Sequence, residues 1–275
     1  MTDLMLEKLL RFQHPERVLP FARDLDAHIL AAIFRTDEAN YRSTLDFLDR
    51  QRELAAKRLA DTPDVRSHLD RLPFRPGDHL VAIGDSMTAD RLSWFELLRT
   101  LLKNERPDLG LRLDNLAVSG ATSTQVLASL PAIRRQSADW MFCMLGNNDS
   151  QQLDTAGGKL LVSRSETLRN LTLLRARALP ADTSRWVWLT PTPVDEARVA
   201  TFPFFRSAGI TWTNADIAEL SATLLADDDP VIDSAPAVTS AGADAFTDDG
   251  LHLGITTHEA LAAHVLAELA EGTRR

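Results

Sequence analysis

The feature that most constrains this chain is an alternation of short apolar runs with longer helical stretches. His79-Leu80-Val81-Ala82-Ile83 is the first run and stops at Gly84. Leu111 to Val118, Trp140 to Leu145, Trp186-Val187-Trp188-Leu189 and Pro230-Val231-Ile232-Asp233 follow it. Helical patterns fill the gaps near 91–103, 123–136, 164–178 and 213–225, and a last one covers 255–271. Runs of this kind have buried-type strand composition, so both faces of each strand are covered. Strand–helix alternation with such strands predicts a parallel sheet between two layers of helices. In sheets of that kind the site lies beyond the carboxyl ends of the strands.

Residues 1 to about 70 read differently. They contain no glycine and are rich in Leu, Ala, Arg, Asp and Glu. Thr36 marks a helix start, with Asp37 and Glu38 in the first turn. Tyr41, Leu45, Leu48, Arg52, Ala55 and Leu59 then fall on one stripe. Val18, Phe21, Leu25, Ile29 and Ile33 predict a preceding helix, interrupted by Pro15 and Pro20. The expectation is a helical hairpin over 1–72, joined by Leu72-Pro73-Phe74-Arg75-Pro76-Gly77-Asp78 to a catalytic domain over 73–275. The simplest role for the hairpin is a structural skirt. A lid, or a contact for a homo-oligomer, is the functional alternative.

The 275 residues suffice for one α/β domain plus this extra segment, and 44% apolar content supports a sizeable core. A net charge of −9 with interspersed signs disfavours nucleic acid or an anionic membrane as the main partner. Cys143 is the only cysteine, so no internal disulfide and no Cys-based metal site can form. It sits inside an apolar run and reads as a core residue. His258 and His264 lie six apart without a carboxylate pairing that makes a metal site. No metal or organic cofactor is expected. No stretch approaches the length of a membrane span, and Asp3, Glu7 and Lys8 do not read as a secretory signal. The expected location is the cytoplasm.

Chemistry-bearing residues stand where the strands end. The first strand delivers Gly84-Asp85-Ser86, the second leads to Ser119-Gly120, and the third to Gly146-Asn147-Asn148-Asp149. Asp248-Asp249-Gly250-Leu251-His252 precedes the last helix. Ser86 follows a strand and opens a helix, which exposes a hydroxyl in a tight turn; helix capping is the bland alternative. Asp249 lies three residues before His252, close enough for the carboxylate to hold Nδ1–H while Nε2 faces outward. Asp248 competes for that role one residue further away. Backbone N–H groups of Ser86 and Gly120 and the side-chain amide of Asn148 are candidate donors to an oxyanion.

These four blocks resemble the SGNH hydrolases, also called the GDSL esterase/lipase family. Gly84-Asp85-Ser86, Gly120, Gly146-x-Asn148-Asp149 and Asp249-x-x-His252 match its four blocks in order. The resemblance implies a flavodoxin-like three-layer α/β/α sandwich around a five-stranded parallel sheet. It also implies Ser86, Asp249 and His252 as catalytic triad, with Gly120 and Asn148 completing the oxyanion hole. Met87 departs from the usual leucine, a swap that nearly conserves volume. The segment before residue 70 is not part of the family core. Standard α/β-hydrolases carry Gly-x-Ser-x-Gly, whereas Thr88 stands two after Ser86 here.

The expected activity is cleavage of a small-molecule ester with a small or medium acyl group. An acyltransferase with the same triad and a non-catalytic scaffold are the alternatives. Residues 194–214 follow the fourth strand and carry Arg198, Phe202, Phe204, Phe205, Arg206 and Trp212. They read either as an aromatic wall for substrate or as anchors for a long loop. Asp85, Met87, Trp94 and Asn147 are further substrate-pocket candidates by position.

Overall fold

A computed structural model describes residues 3–154, 157–179 and 185–272. Five α-helices come first: α1 (Asp3–Phe12), α2 (Pro15–Val18), α3 (Ala27–Ile33), α4 (Glu38–Ala60) and α5 (Pro63–Leu69). Then β1 (His79–Gly84) runs into the short α6 (Ser86–Ala89), followed by α7 (Trp94–Glu105) and β2 (Arg112–Asn115). Next come α8 (Ser123–Ala128), α9 (Leu130–Arg134), β3 (Trp140–Met144), β4 (Gln152–Leu153), β5 (Lys159–Leu160), α10 (Arg164–Ala178) and β6 (Arg185–Leu189). The remainder is α11 (Glu196–Thr201), α12 (Pro203–Ala208), β7 (Ile210–Thr211), α13 (Asn214–Leu225), β8 (Val231–Ile232), α14 (Ala235–Ala241) and α15 (Ile255–Glu271).

The main sheet has five parallel strands in the order β2-β1-β3-β6-β8. Successive side chains on a strand point to opposite faces, and the burial follows that rule. Leu80, Ala82, Phe142, Val187 and Leu189 enter one apolar core with α4, α5, α7 and α15. Val81, Ile83, Met141, Cys143, Trp186 and Trp188 enter the other, with α8, α9, α10 and α13. This is the expected three-layer sandwich with a five-stranded parallel sheet. The strand order reverses between β1 and β3, so a crevice opens at their carboxyl ends. A second, three-stranded sheet, β5-β4-β7, sits at that edge. Its strands are two residues each, too short to leave a pattern in sequence.

The N-terminal region is helical but is not one hairpin. The stripe from Tyr41 to Leu59 does face inward, with Tyr41, Leu48, Ala55 and Leu59 buried. The N-cap of α4 is Asp37, whose carboxylate accepts from the Asn40 N–H, and not Thr36. The single helix expected from Val18 to Ile33 is broken. Pro20 starts a 3-10 turn, Leu25 is extended, and Asp26 caps a new helix by accepting from the Ile29 N–H. Val18, Phe21, Ile29 and Ile33 are exposed, so their spacing does not mark a core face. A third apolar cluster ties α1, α3 and α4 together through Leu6, Leu10, Ala31, Tyr41 and Leu48.

Cys143 is fully buried in β3, and burial pushes its thiol well above the ordinary range. No helix among the described residues is long and apolar enough to cross a membrane.

Candidate active site

Ser86 sits at the carboxyl end of β1, beside the strand-order reversal. Gly84 makes the approach possible, since a Cβ there would meet the Met144 carbonyl at 2.7 Å and Thr88 Oγ1 at 2.9 Å. Asp85 caps α6, its Oδ1 accepting from the Met87 N–H at 3.0 Å. Its Oδ2 has no partner among the described residues, and burial pushes the carboxyl up to about 7.

The loop before α15 is tightly built around Asp249. Its Oδ1 accepts from Thr247 Oγ1 at 3.0 Å, the Leu251 N–H at 3.0 Å and the His252 N–H at 2.9 Å. Gly250 turns the loop at φ +73°, and a Cβ there would strike Arg198 Cβ at 2.6 Å. The remaining oxygen, Oδ2, lies 2.8 Å from His252 Nδ1. A carboxylate can only accept, so Nδ1 carries a proton, and in the neutral imidazole Nε2 then keeps a lone pair. That lone pair faces Ser86 Oγ at 3.0 Å. Burial by itself raises the Asp249 carboxyl, but the hydrogen bond and charge of His252, with Lys8 beyond, hold it well below the usual carboxylate range. Asp248 points away, its side chain 75% exposed, and only bridges to Lys8.

Gly120 and Asn148 border the same cavity as Ser86 and His252. Gly120 has φ +79° and open space where a Cβ would stand. Neither the Ser86 nor the Gly120 N–H donates to another described residue. Asn148 Nδ2 donates one hydrogen to the Ala121 carbonyl at 3.1 Å, and an amide nitrogen carries two. Below it Asp149 is buried among Ser123 and Thr167, accepting from the Ser123 N–H at 2.9 Å and Thr167 Oγ1 at 3.0 Å. Ser123 caps no turn of its own here; it ties the start of α8 to the β3 loop.

The cavity measures about 730 Å³. One wall is aromatic: Phe202, Phe204, Phe205 and Trp212. The long loop expected between 194 and 214 is folded as α11, α12 and β7, so Phe204 and Phe205 stand on α12, Phe202 at the junction of α11 and α12, and Trp212 just after β7. The opposite wall is α1, through Leu4, Met5, Lys8, Leu9 and Phe12. The Phe12 ring lies 4.5 Å from the His252 ring. Lys8 Nζ reaches Asp249 Oδ2 at 2.9 Å and sits 4.8 Å above the Phe202 ring. No sequence signal marked Leu4, Met5, Lys8, Leu9 or Phe12. Their segment was expected to be helical, but their place at the site comes only from how α1 packs on the loop of Asp249.

Four pocket candidates fail on position. Asp85, Met87, Trp94 and Asn147 are buried and do not line the cavity. Asp85 points back to cap α6, and Met87 and Trp94 fill the core behind it. Asn147 spends its amide on the main chain of Thr192, donating at 2.8 Å and accepting at 3.1 Å. Arg198 also turns away, to the carbonyls of Ala243 and Phe246. His258 is buried 3.6 Å from Asp90, and no group of three or more His, Cys, Asp or Glu side chains among the described residues could hold a metal.

A model of the GDSL-like lipase/acylhydrolase family matches residues 82–260, a span that includes Ser86, Gly120, Asn148, Asp249 and His252. The chain belongs to that family. As a GDSL-type protein it is a carboxylic ester hydrolase. Among solved structures, this GDSL chain resembles an acetylxylan esterase from Geobacillus stearothermophilus. The two are 22% identical with a TM-score of 0.51, over 74% of this chain and 98% of that one. A GDSL-like lipase described for Parabacteroides merdae is 14% identical at TM-score 0.53, over 74% and 100% of the two chains. An α/β hydrolase from the metagenome of Lake Arreo is 20% identical at TM-score 0.51, over 74% and 99%. At these identities the likeness is one of fold. Comparison with curated proteins finds no match.

Proposed function

We propose that this hydrolase works through an acyl-enzyme on Ser86, with His252 as general base and acid and Asp249 as the group that orients it. The observation that carries this reading is the unbroken series from Asp249 Oδ2 to Nδ1 at 2.8 Å and from Nε2 to Ser86 Oγ at 3.0 Å. In the first half-reaction Ser86 Oγ attacks the ester carbonyl as its proton passes to Nε2. Asp249 stabilises the imidazolium without taking the proton. The carbonyl oxygen becomes an oxyanion, and the Ser86 N–H, the Gly120 N–H and the second Asn148 amide hydrogen are its donors. His252 then protonates the leaving alcohol. Water repeats the sequence on the acyl-enzyme and frees Ser86.

The cavity walls support an ester with an apolar arm beyond acetyl. Leu4, Met5 and Phe204 at the mouth are 79%, 58% and 65% exposed, and they continue the apolar surface of Phe202, Phe205 and Trp212 outward from Ser86. Each methylene buried along such a surface contributes about 0.8 kcal/mol, or roughly fourfold in kcat/KM.

A fluorophosphonate probe tests the reading. It is expected to label Ser86 in the wild-type protein and not in Ser86→Ala, and hydrolysis of short esters is expected to vanish with the label. Undiminished hydrolysis by folded Ser86→Ala overturns the mechanism.

A further inference from the structure

Helix α1 reaches the site from outside the sheet and is held there by groups that the reaction does not use. Arg11 pairs with Asp90, the residue that ends α6, and the Asp90 side chain is completely buried. The Arg91 N–H donates to the Arg11 carbonyl at 3.0 Å, and Arg91 Nε donates to the Leu10 carbonyl at 2.9 Å. Ser119 Oγ donates to the Phe12 carbonyl, joining α1 to the loop of Gly120. A buried ion pair on one side and main-chain bonds on the other fix the helix against both the nucleophile turn and the Gly120 loop. Lys8, one turn before Arg11, is thereby held over Asp249.

The placement is specific. Lys8 Nζ lies 2.9 Å from Asp249 Oδ2, the same oxygen that accepts from His252 Nδ1 at 2.8 Å. A second contact to Asp248 Oδ1 at 3.3 Å steadies the ammonium. One carboxylate oxygen is therefore shared by the imidazole and a cation from a different part of the chain.

We propose that Lys8 is a positioning residue for ester hydrolysis, acting through Asp249: it locks the carboxylate in line with His252 and opposes positive charge on the imidazole. The proposal rests on the reading of Ser86, His252 and Asp249 given above. Two charge-assisted bonds to Oδ2 resist rotation of the carboxylate better than one. The ammonium and an imidazolium would meet across the one oxygen they share, and like charges that close repel. The other charged groups around the pair are Asp85 behind the nucleophile turn, Asp248 on the same loop, Glu7 and Arg11 on α1, Asp90 at the end of α6 and His258 on α15. Arg11 faces Asp90 and His258 lies 3.6 Å from it, which leaves Lys8 as the basic side chain bonded to Asp249 besides His252.

The experiment is the pH profile of kcat/KM for a soluble 4-nitrophenyl ester with wild type, Lys8→Met and Lys8→Arg. Lys8 is partly exposed, and methionine keeps an apolar stem against Phe202, so the substitution does not open the core. In Lys8→Met the acid limb is expected to move to higher pH by about half a unit at low salt. The difference from wild type is expected to shrink at about 1 M salt, where the Debye length is roughly 3 Å. Lys8→Arg is expected to keep the wild-type limb. A merely structural role lowers kcat without moving the limb, so superimposed acid limbs for wild type and Lys8→Met overturn the proposal. So does a shift in Lys8→Arg equal to that in Lys8→Met. Ser86→Ala separates the two levels: activity surviving in that variant removes the underlying mechanism, whereas Ser86-dependent activity with a fixed acid limb removes only the role of Lys8.

Discussion

Ser86 and Phe12 touch the same imidazole from two regions that are built in different ways. Ser86 is delivered by β1, whose residues are all buried and whose end is set by local rules: an apolar run, a glycine, a capping aspartate. Phe12 and Lys8 are delivered by α1, whose position depends on partners far along the chain: Asp90, Arg91, Ser119 and Asp249. The first kind of placement can be read within ten residues of sequence. The second exists only as tertiary contact. On the proposed mechanism such a site divides its work, with Ser86 at the rigid sheet edge, Asp249 and His252 on the loop before α15, and their supports on a helix brought in from outside.

Substitutions on either side of His252 test that division. The largest effect is expected at Asp249→Asn, which keeps the shape but favours the wrong imidazole tautomer; turnover is expected to fall by roughly 10⁴, measured with a short-chain ester. Loss of one proposed oxyanion donor in Asn148→Ala is expected to lower kcat by roughly 10²–10³ with little change in KM. Full activity in that variant removes Asn148 from the mechanism. On the helix side, Arg11→Met leaves the buried Asp90 carboxylate without its main partner. Urea denaturation is expected to show about 3 kcal/mol lost stability. If stability and activity both survive, α1 is not anchored by this pair. Phe204→Ser is expected to be mildest, lowering kcat/KM for a medium-chain ester several-fold more than for an acetate. An equal effect on both esters takes the Phe204 surface out of substrate binding.

Much of the fold was legible because the central strands β1, β3 and β6 are buried on both faces and have a distinctive composition, and helical patterns alternate with the apolar runs. The order of the five strand runs and the helices at 164–178, 213–225 and 255–271 follow from that alternation. Gly120, Asn148, Asp249 and His252 could be picked out as candidates because small and polar groups recur where β1, β2 and β3 end and again before the last helix, and the structure brings them around one cavity. The errors share a cause. Val18, Phe21, Ile29 and Ile33 have helical spacing, but Pro20 and Asp26 reset the chain between them, and periodicity cannot register a restart. Met87, Asp85 and Asn147 were near the site in sequence, yet a residue beside a strand end points inward as readily as outward. Leu4, Met5 and Lys8 carried no local mark because their function depends on where α1 lands.

The position of α1 has a practical consequence for anyone handling the protein. Leu4 and Met5 rim the cavity, so a bulky label on either side chain sits at the entrance and crowds incoming ligands. The far end of the 17-residue α15 lies about 25 Å along the helix from the loop of His252. Surface labels that must leave the cavity undisturbed belong at that far end.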